Sequence, residues 1–210
     1  MAMAFAEIAF TPTVRAVQAR QGSASAYDKF LAAEIERRDR LGELESAFIA
    51  ARDGFYQATV SETGWPYVQF RGGPKGFLRV LDDTTIAYAD FRGNRQYVST
   101  GNLVGNDRVA LILMDYPNRR RLKILGHART VDSADDPDLV ASLHDAAYRA
   151  KPERAVVIKA VGFDWNCPQH IPQRLTLDEL EPLIAPLRDE IDRLTRENER
   201  LRRSCRPAGR

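Results

Sequence analysis

From residue 55 to residue 91 the chain is cut by turn residues into short stretches of strand-forming side chains. This pattern limits the possible folds more than any other. Phe55-Tyr56-Gln57-Ala58-Thr59-Val60 reads as a strand, Glu62-Thr63-Gly64 as a turn, and Pro66 to Arg71 as its hairpin partner. Gly72-Gly73-Pro74 breaks the chain, and Gly76 to Val80 with Thr85 to Ala89 form a second hairpin around Asp82-Asp83. A helical stretch, Arg95 to Leu103, follows. Val109 to Asp115 and Leu122 to Val131 are strands joined by a turn at Asn118 to Arg121. Asp135 to Ala147 is helical with Pro137 in its first turn, and Arg154 to Phe163 is the last strand. Strands that come in runs favour an antiparallel barrel over an alternating βαβ fold. The expected class is mainly β: a six-stranded barrel with helices at its ends.

Before the barrel, Thr11 is a candidate N-cap and Pro12 suits the first helical position, with Val14 and Val17 on one face. A second helix is expected over Ser25 to Arg38, carrying Tyr27, Phe30, Leu31 and Ile35, and a third over Leu44 to Ala51. After the barrel, Leu180, Leu187, Leu194 and Leu201 recur every seven residues, and Leu177, Ile184, Ile191 and Asn198 form a row three residues ahead of them. These are the d and a positions of a coiled coil, and Asn198 at an a position is a device that fixes register. Pro182 and Pro186 interrupt the first turns, so the dependable helix is Pro186 to Arg203. Either it pairs with a second chain or it packs on the barrel as a single amphipathic helix. The division expected is 1–44 helical, 45–175 barrel and 176–210 C-terminal helix.

At +2, with 44% apolar and 29% charged residues, the composition is that of an ordinary globular protein. The basic clusters, Arg119-Arg120-Arg121 and Arg202-Arg203, are too short for a phosphate-tracking face, so no nucleic-acid partner is expected. Cys167 and Cys205 are far apart, and His127, His144 and His170 are scattered singly, so no metal site is expected. No apolar run reaches membrane-spanning length and the first residues lack a signal-peptide pattern, so no membrane association and a cytoplasmic location are expected.

Ser61, Ser99 and Ser133 lack a nucleophile-elbow context, and there is neither a P-loop nor a dinucleotide fingerprint. Two constellations carry more. One is Arg71 with Lys75, just after a strand. The other is Asp90-Phe91-Arg92-Gly93-Asn94-Arg95-Gln96, where a strand leads into a helix. A helix start offers free N–H groups and a positive dipole end to a phosphate, and Arg92 and Arg95 add forked, charge-assisted donors. The competing reading makes these arginines surface ion pairs.

Gly64-Trp65-Pro66-Tyr67-Val68-Gln69-Phe70-Arg71-Gly72-Gly73-Pro74, then Tyr88-Ala89-Asp90-Phe91-Arg92-Gly93-Asn94-Arg95-Gln96-Tyr97, then Gly105-Asn106-Asp107-Arg108-Val109-Ala110-Leu111 together resemble the pyridoxamine 5′-phosphate oxidase-like FMN-binding family. A bacterial subgroup of it also shows Asn166-Cys167-Pro168-Gln169-His170-Ile171-Pro172-Gln173-Arg174 after the last strand. The resemblance covers about residues 45 to 175. It implies a split barrel that dimerises with FMN in the dimer interface. It implies cofactor contacts from Gln69, Arg71 and Lys75, from Ala89 and Asp90 where the family has Tyr-Thr, and from Arg92. Asn94-Arg95-Gln96 matches the family's Ser-Arg-Lys phosphate clamp, keeping the arginine. Arg121 aligns with a family glutamine near the flavin, and Trp165 and Arg174 with a tryptophan and an arginine near the C-terminus. The family's Arg-x-His substrate signature is replaced by Gln173-Arg174. Vitamin-B6 oxidation is therefore not implied.

The resemblance thus implies a flavin-dependent oxidoreductase acting on a small-molecule substrate or electron donor. His170 is the candidate proton donor, since imidazole titrates near neutrality, with a structural turn residue as the competing reading. Trp165 either stacks on the flavin or fills the barrel rim. The alternative function is a non-catalytic flavin- or haem-binding module that reports redox state through its C-terminal helix.

Overall fold

The computed structural model describes residues 4–32, 39–165 and 168–204. Among them, α1 (Ala4–Ala9), α2 (Pro12–Arg20) and α3 (Ala24–Asp28) precede α4 (Glu43–Ala50). The sheet strands are β1 (Gly54–Val60), β2 (Pro66–Gly72), β3 (Arg79–Val80), β4 (Thr85–Phe91), β5 (Arg108–Asp115), β6 (Arg120–Asp132) and β7 (Pro152–Trp165). Helix α5 (Val98–Gly105) lies between β4 and β5, α6 (Pro137–Leu143) between β6 and β7, and α7 (Leu177–Ser204) ends the described chain.

All seven strands form one antiparallel sheet in the order β2-β1-β5-β6-β7-β4-β3. The two-residue β3 at one edge makes seven strands. The end strands do not pair with each other, so the sheet curls without closing: mainly β with helices, a split barrel. Side chains bridge the seam. Tyr88 of β4 donates its hydroxyl to Gln57 of β1 at 2.8 Å, and Phe55 meets Tyr88 edge-on at 5.3 Å. Period-two alternation decides what faces inward. Phe55, Gln57 and Thr59 of β1 are buried, as are Leu111 and Leu113 of β5 and Leu122 and Ile124 of β6. Their outward neighbours are not.

Strand β4 breaks the alternation, being buried continuously from Ile86 to Asp90. Ile86 and Tyr88 belong to the barrel interior, whereas Ala87 and Ala89 pack under Val140 and Leu143 of α6. Two close approaches require glycine. A Cβ on Gly126 would lie 2.7 Å from the Lys159 carbonyl, where the β6–β7 register shifts. A Cβ on Gly162 would lie 2.8 Å from the Phe5 amide, so α1 sits directly on β7.

Thr11 caps α2, its hydroxyl accepting from the Val14 amide at 3.4 Å, with Pro12 at the first position. The helix expected over Ser25 to Arg38 is described only to Leu31, as α3 followed by one tight turn. Ile35 lies outside the described residues, as do Asn166, Cys167 and Cys205. Helix α6 stops at Leu143, short of the expected Ala147, because His144 is extended. The largest correction is α7. It begins at Leu177 and runs through Pro182 and Pro186. Each proline deletes one helical hydrogen bond, but none of the helix is buried, so the freed carbonyls meet water. Helix α7 buries no side chain against the barrel of its own chain.

Candidate functional site

At one end of the seam, where β2 and β4 diverge, a cleft of about 220 Å³ opens. Strand β2 presents Gln69 and Arg71, β4 ends in Asp90, and β7 brings Glu153 alongside. The segment Gly93 to Tyr97 and the first turn of α5 (Val98, Ser99 and Thr100) form the remaining wall.

The backbone of this wall is unusual. Arg95 and Tyr97 both adopt left-handed conformations, with φ of 62° and 53°. Non-glycine residues rarely do so, and such strain concentrates at ligand-binding loops. The twist stops any helix before Val98, which corrects the expected start at Arg95. An Asx-type bond holds the turn, the Gln96 amide donating to Asn94 Oδ1 at 3.2 Å. The N-cap of α5 is Tyr97, whose side chain supplies no cap. The first amides of α5 therefore reach the cleft wall without a side-chain acceptor.

The charged groups are held in a defined order. Asp90, 7% exposed, accepts from Arg71 at 2.6 Å on one oxygen and from Arg154 at 3.3 Å on the other. Burial works against the Arg154 charge, but hydrogen bonds to Asp132 and Asp90 outweigh it and hold this guanidinium more firmly protonated than a free arginine. Tyr97 lies beneath it, 5.1 Å from the guanidinium carbon, and reaches Glu153 at 3.1 Å. Arg95 Nε donates to the Tyr97 hydroxyl at 3.3 Å, which raises its pKa. Ser99 donates to Gln69 Oε1 at 3.0 Å, tying α5 to β2. The cleft charges balance, Arg71 and Arg95 against Asp90 and Glu153. Both acids are already engaged by other partners. The Arg71 Nε–H, in contrast, is buried with no partner among the described residues. The site's accessible donors are the Arg95 fork and the first amides of α5.

The candidate residues divide in two. Gln69, Arg71, Asp90, Arg95 and Gln96 meet in the cleft. Arg92 stands beside it, its Nε 3.8 Å from Glu153. Ala89, expected to meet the flavin through its backbone, is not among the cleft-lining residues, and its side chain packs with α6. Lys75 is exposed on the turn before β3 and does not line the cleft. Nor do Arg121, Trp165, His170 and Arg174. Trp165 packs edge-on against Phe48 at 4.7 Å and donates to Glu45 at 2.7 Å. Arg174 lies over Tyr116 at 5.0 Å. His170 sits exposed on a turn with φ of 63°. Arg121 lies beside Met114 on the outward side of β6, its Nε buried and without a partner among the described residues.

Sequence reasoning missed Tyr97, Ser99, Thr100 and Glu153. The two hydroxyl residues beside a helix start were a readable signal. Glu153 had none, because only the pairing of β4 with β7 brings it to the cleft.

Among the described residues no group of three or more His, Cys, Asp or Glu side chains could hold a metal ion. No described helix is long and apolar enough to cross a membrane.

The sequence profile of the pyridoxamine 5′-phosphate oxidase family matches residues 42–162. No curated protein sequence matches the chain significantly. Three solved structures illustrate its structural neighbours. HupZ of Group A Streptococcus is 15% identical, with 64% of this chain and 100% of that chain covered, at a TM-score of 0.49. An FMN-binding protein from Syntrophomonas wolfei is 13% identical, with 71% and 97% covered and a TM-score of 0.44. A protein of the pyridoxine phosphate oxidase family from Clostridium acetobutylicum, related to general stress protein 26, is 14% identical, with 64% and 92% covered and a TM-score of 0.42.

Proposed function

The chain belongs to the pyridoxamine 5′-phosphate oxidase family, and from that premise we propose that it binds FMN and works as a homodimeric flavin-dependent oxidoreductase on a small-molecule substrate or electron donor. The observation that carries the reading is the cleft's set of donors: the exposed Arg95 guanidinium, only its Nε taken by Tyr97, the Arg71 guanidinium and the uncapped start of α5. A phosphate monoester satisfies such a set, because its oxygens accept from forked guanidinium groups and from a helix N-terminus alike. The residues present fit the group.

In this reading Arg95 and the first amides of α5 hold the phosphate. Asp90 fixes Arg71 across the seam and so holds its guanidinium at the cleft wall. Gln69, oriented by Ser99, reads the polar chain that follows the phosphate. The flavin, when bound, supplies the electron chemistry, and the protein supplies orientation and polarity.

The cleft's volume also bears on the homodimer. About 220 Å³ is below the roughly 300–1,000 Å³ typical of pockets that enclose a ligand of this size. One chain thus encloses the phosphate end and leaves the ring to be covered by something else. The outward faces of β2, β1 and β5 supply a candidate surface. Phe70 is 58% exposed and Val68 60% exposed, and both lie beside half-exposed Tyr56 and Ile112. Contiguous apolar surface of this kind marks an interaction site. Arg121 lies on the same outward side of the sheet. In this arrangement Arg121, Trp165, His170 and Arg174 serve the cleft of the other copy.

The cleft is lined by no histidine, cysteine or methionine, and its accessible donors suit a phosphate better than a haem iron.

The visible absorption spectrum of the purified protein, with release and identification of its chromophore, tests the proposal. A yellow protein that releases FMN is expected. A colourless protein that also refuses added FMN overturns the reading.

A further inference from the structure

Helix α7 extends over 28 residues, about 42 Å, without burying a single side chain. Its apolar residues are nonetheless arranged as one seam. Leu177, Ile184 and Ile191 hold the a positions with Asn198, and Leu180, Leu187, Leu194 and Leu201 hold the d positions. Leu187, Ile191, Leu194 and Leu201 are between 48% and 64% exposed. Part of the polar surface pairs within the helix, where Arg193 bonds Glu190 at 2.8 Å and Glu197 at 3.1 Å. Both prolines fall at outer positions, Pro182 at f and Pro186 at c, so neither obstructs the seam. The apolar stripe has no cover among the described residues.

We propose that α7 pairs with α7 of a second copy of this chain as a parallel, in-register, two-stranded coiled coil whose register is fixed by Asn198. Three observations select this occupant. β-branched isoleucine at a with leucine at d favours two strands. In a parallel pair, a positions meet a positions, so Asn198 faces its own copy and the two amides bond each other. In an antiparallel pair, each Asn198 would be set against the leucine row and left unsatisfied. The flanking charges agree, since Glu197 at g reaches Arg202 at the next e position of the partner helix, twice by symmetry. A membrane surface fits less well, because the helix carries eight acidic residues and six arginines, a net of −2, where anionic lipid recruits basic faces.

A coil of this length is marginal by itself and gains from chains already held together. The inference therefore extends the homodimer proposed above. A parallel pair also lies along the two-fold axis of that dimer, as closed symmetry requires.

Single-cysteine crosslinking in the full-length protein tests it. With Cys167 and Cys205 replaced by serine, Leu201→Cys (at d) is compared with Arg196→Cys (at f) under mild oxidation, and bound flavin is measured in each sample. Neither side chain is buried in the chain itself, so neither exchange touches the barrel core. The expected result is that Leu201→Cys forms the disulfide-linked dimer at least tenfold faster than Arg196→Cys. Equal rates, or no dimer from Leu201→Cys, overturn the proposal, and an antiparallel pair gives the latter outcome. If flavin stays bound in those samples, the coiled coil fails alone. If flavin is also missing from the unsubstituted protein, the earlier reading fails with it.

Discussion

Arg71 and Asp90 meet at 2.6 Å across the seam where the sheet's hydrogen bonding stops, and the same carboxylate also receives Arg154. Removing the acid leaves two arginines facing each other in a mostly buried place. Asp90→Ala should therefore destabilise the fold by about 3 kcal/mol, the scale for breaking one side of a buried ion pair. Urea unfolding measures this, and a loss under about 0.5 kcal/mol, as is usual for surface pairs, would show that the seam does not depend on the contact.

Arg95 is exposed and bonded only to Tyr97 among the described contacts, so its removal leaves the fold nearly untouched. If it holds a phosphate, Arg95→Ala forfeits a charge-assisted bond of about 1.5–3 kcal/mol and weakens FMN binding by roughly 10- to 150-fold. Lys75→Ala, outside the cleft, should change FMN affinity less than about twofold. Titration followed by flavin fluorescence separates the two, and equal effects would remove Arg95 from the phosphate site.

Tyr88 gives an alkaline signature. Burial in the barrel raises its pKa well above the ordinary value of 10.0. Above about pH 10 the unfolded chain loses this proton and the folded chain keeps it. The stabilising contribution is therefore complete below pH 10 and falls by about 1.4 kcal/mol per unit as pH rises beyond it. Tyr88→Phe should flatten that slope. At neutral pH it costs about 1–3 kcal/mol, because Gln57 loses its donor. Denaturant unfolding at pH 8 and pH 11 checks both effects, and an unchanged slope in the variant would show that another group titrates.

Truncation after Leu175 removes α7, which shares no buried side chain with the barrel. The shortened protein should keep its fold and its FMN if the sheet faces alone form the dimer. Sedimentation with absorbance at the flavin band reports mass and cofactor together. Loss of both would make α7 part of the dimer's foundation.

Much of this architecture was legible because it rests on periodic signals. The turn-bounded runs Phe55 to Val60 and Val109 to Asp115 named the strands, and the leucine heptads named α7. The sites of failure share a physical cause. Arg95 and Tyr97 occupy conformations that glycine or asparagine would have advertised, so the start of α5 was placed too early. Pro182 and Pro186 lower helix propensity locally, yet the exposed surface of α7 lets water replace the lost bonds. Glu153 sits 62 positions after Phe91 in the chain but reaches the same corner, because Asp90 registers with Arg154. No local pattern encodes that pairing. Trp165 and Arg174 were assigned by alignment to the flavin, whereas in their own chain their rings and charges are spent on Phe48, Glu45 and Tyr116.

The split in the sheet makes the cleft a latch. Most barrels are fastened all round by backbone bonds, but here the last fastening between β2 and β4 is made by side chains that also line the ligand's seat. A molecule lodged between Arg71 and the start of α5 would buckle the two margins together at this end, and its departure would leave that end joined by a guanidinium and a carboxylate. Occupancy and rigidity thus become one variable, most visible as slowed amide exchange along β2, the margin with a free edge.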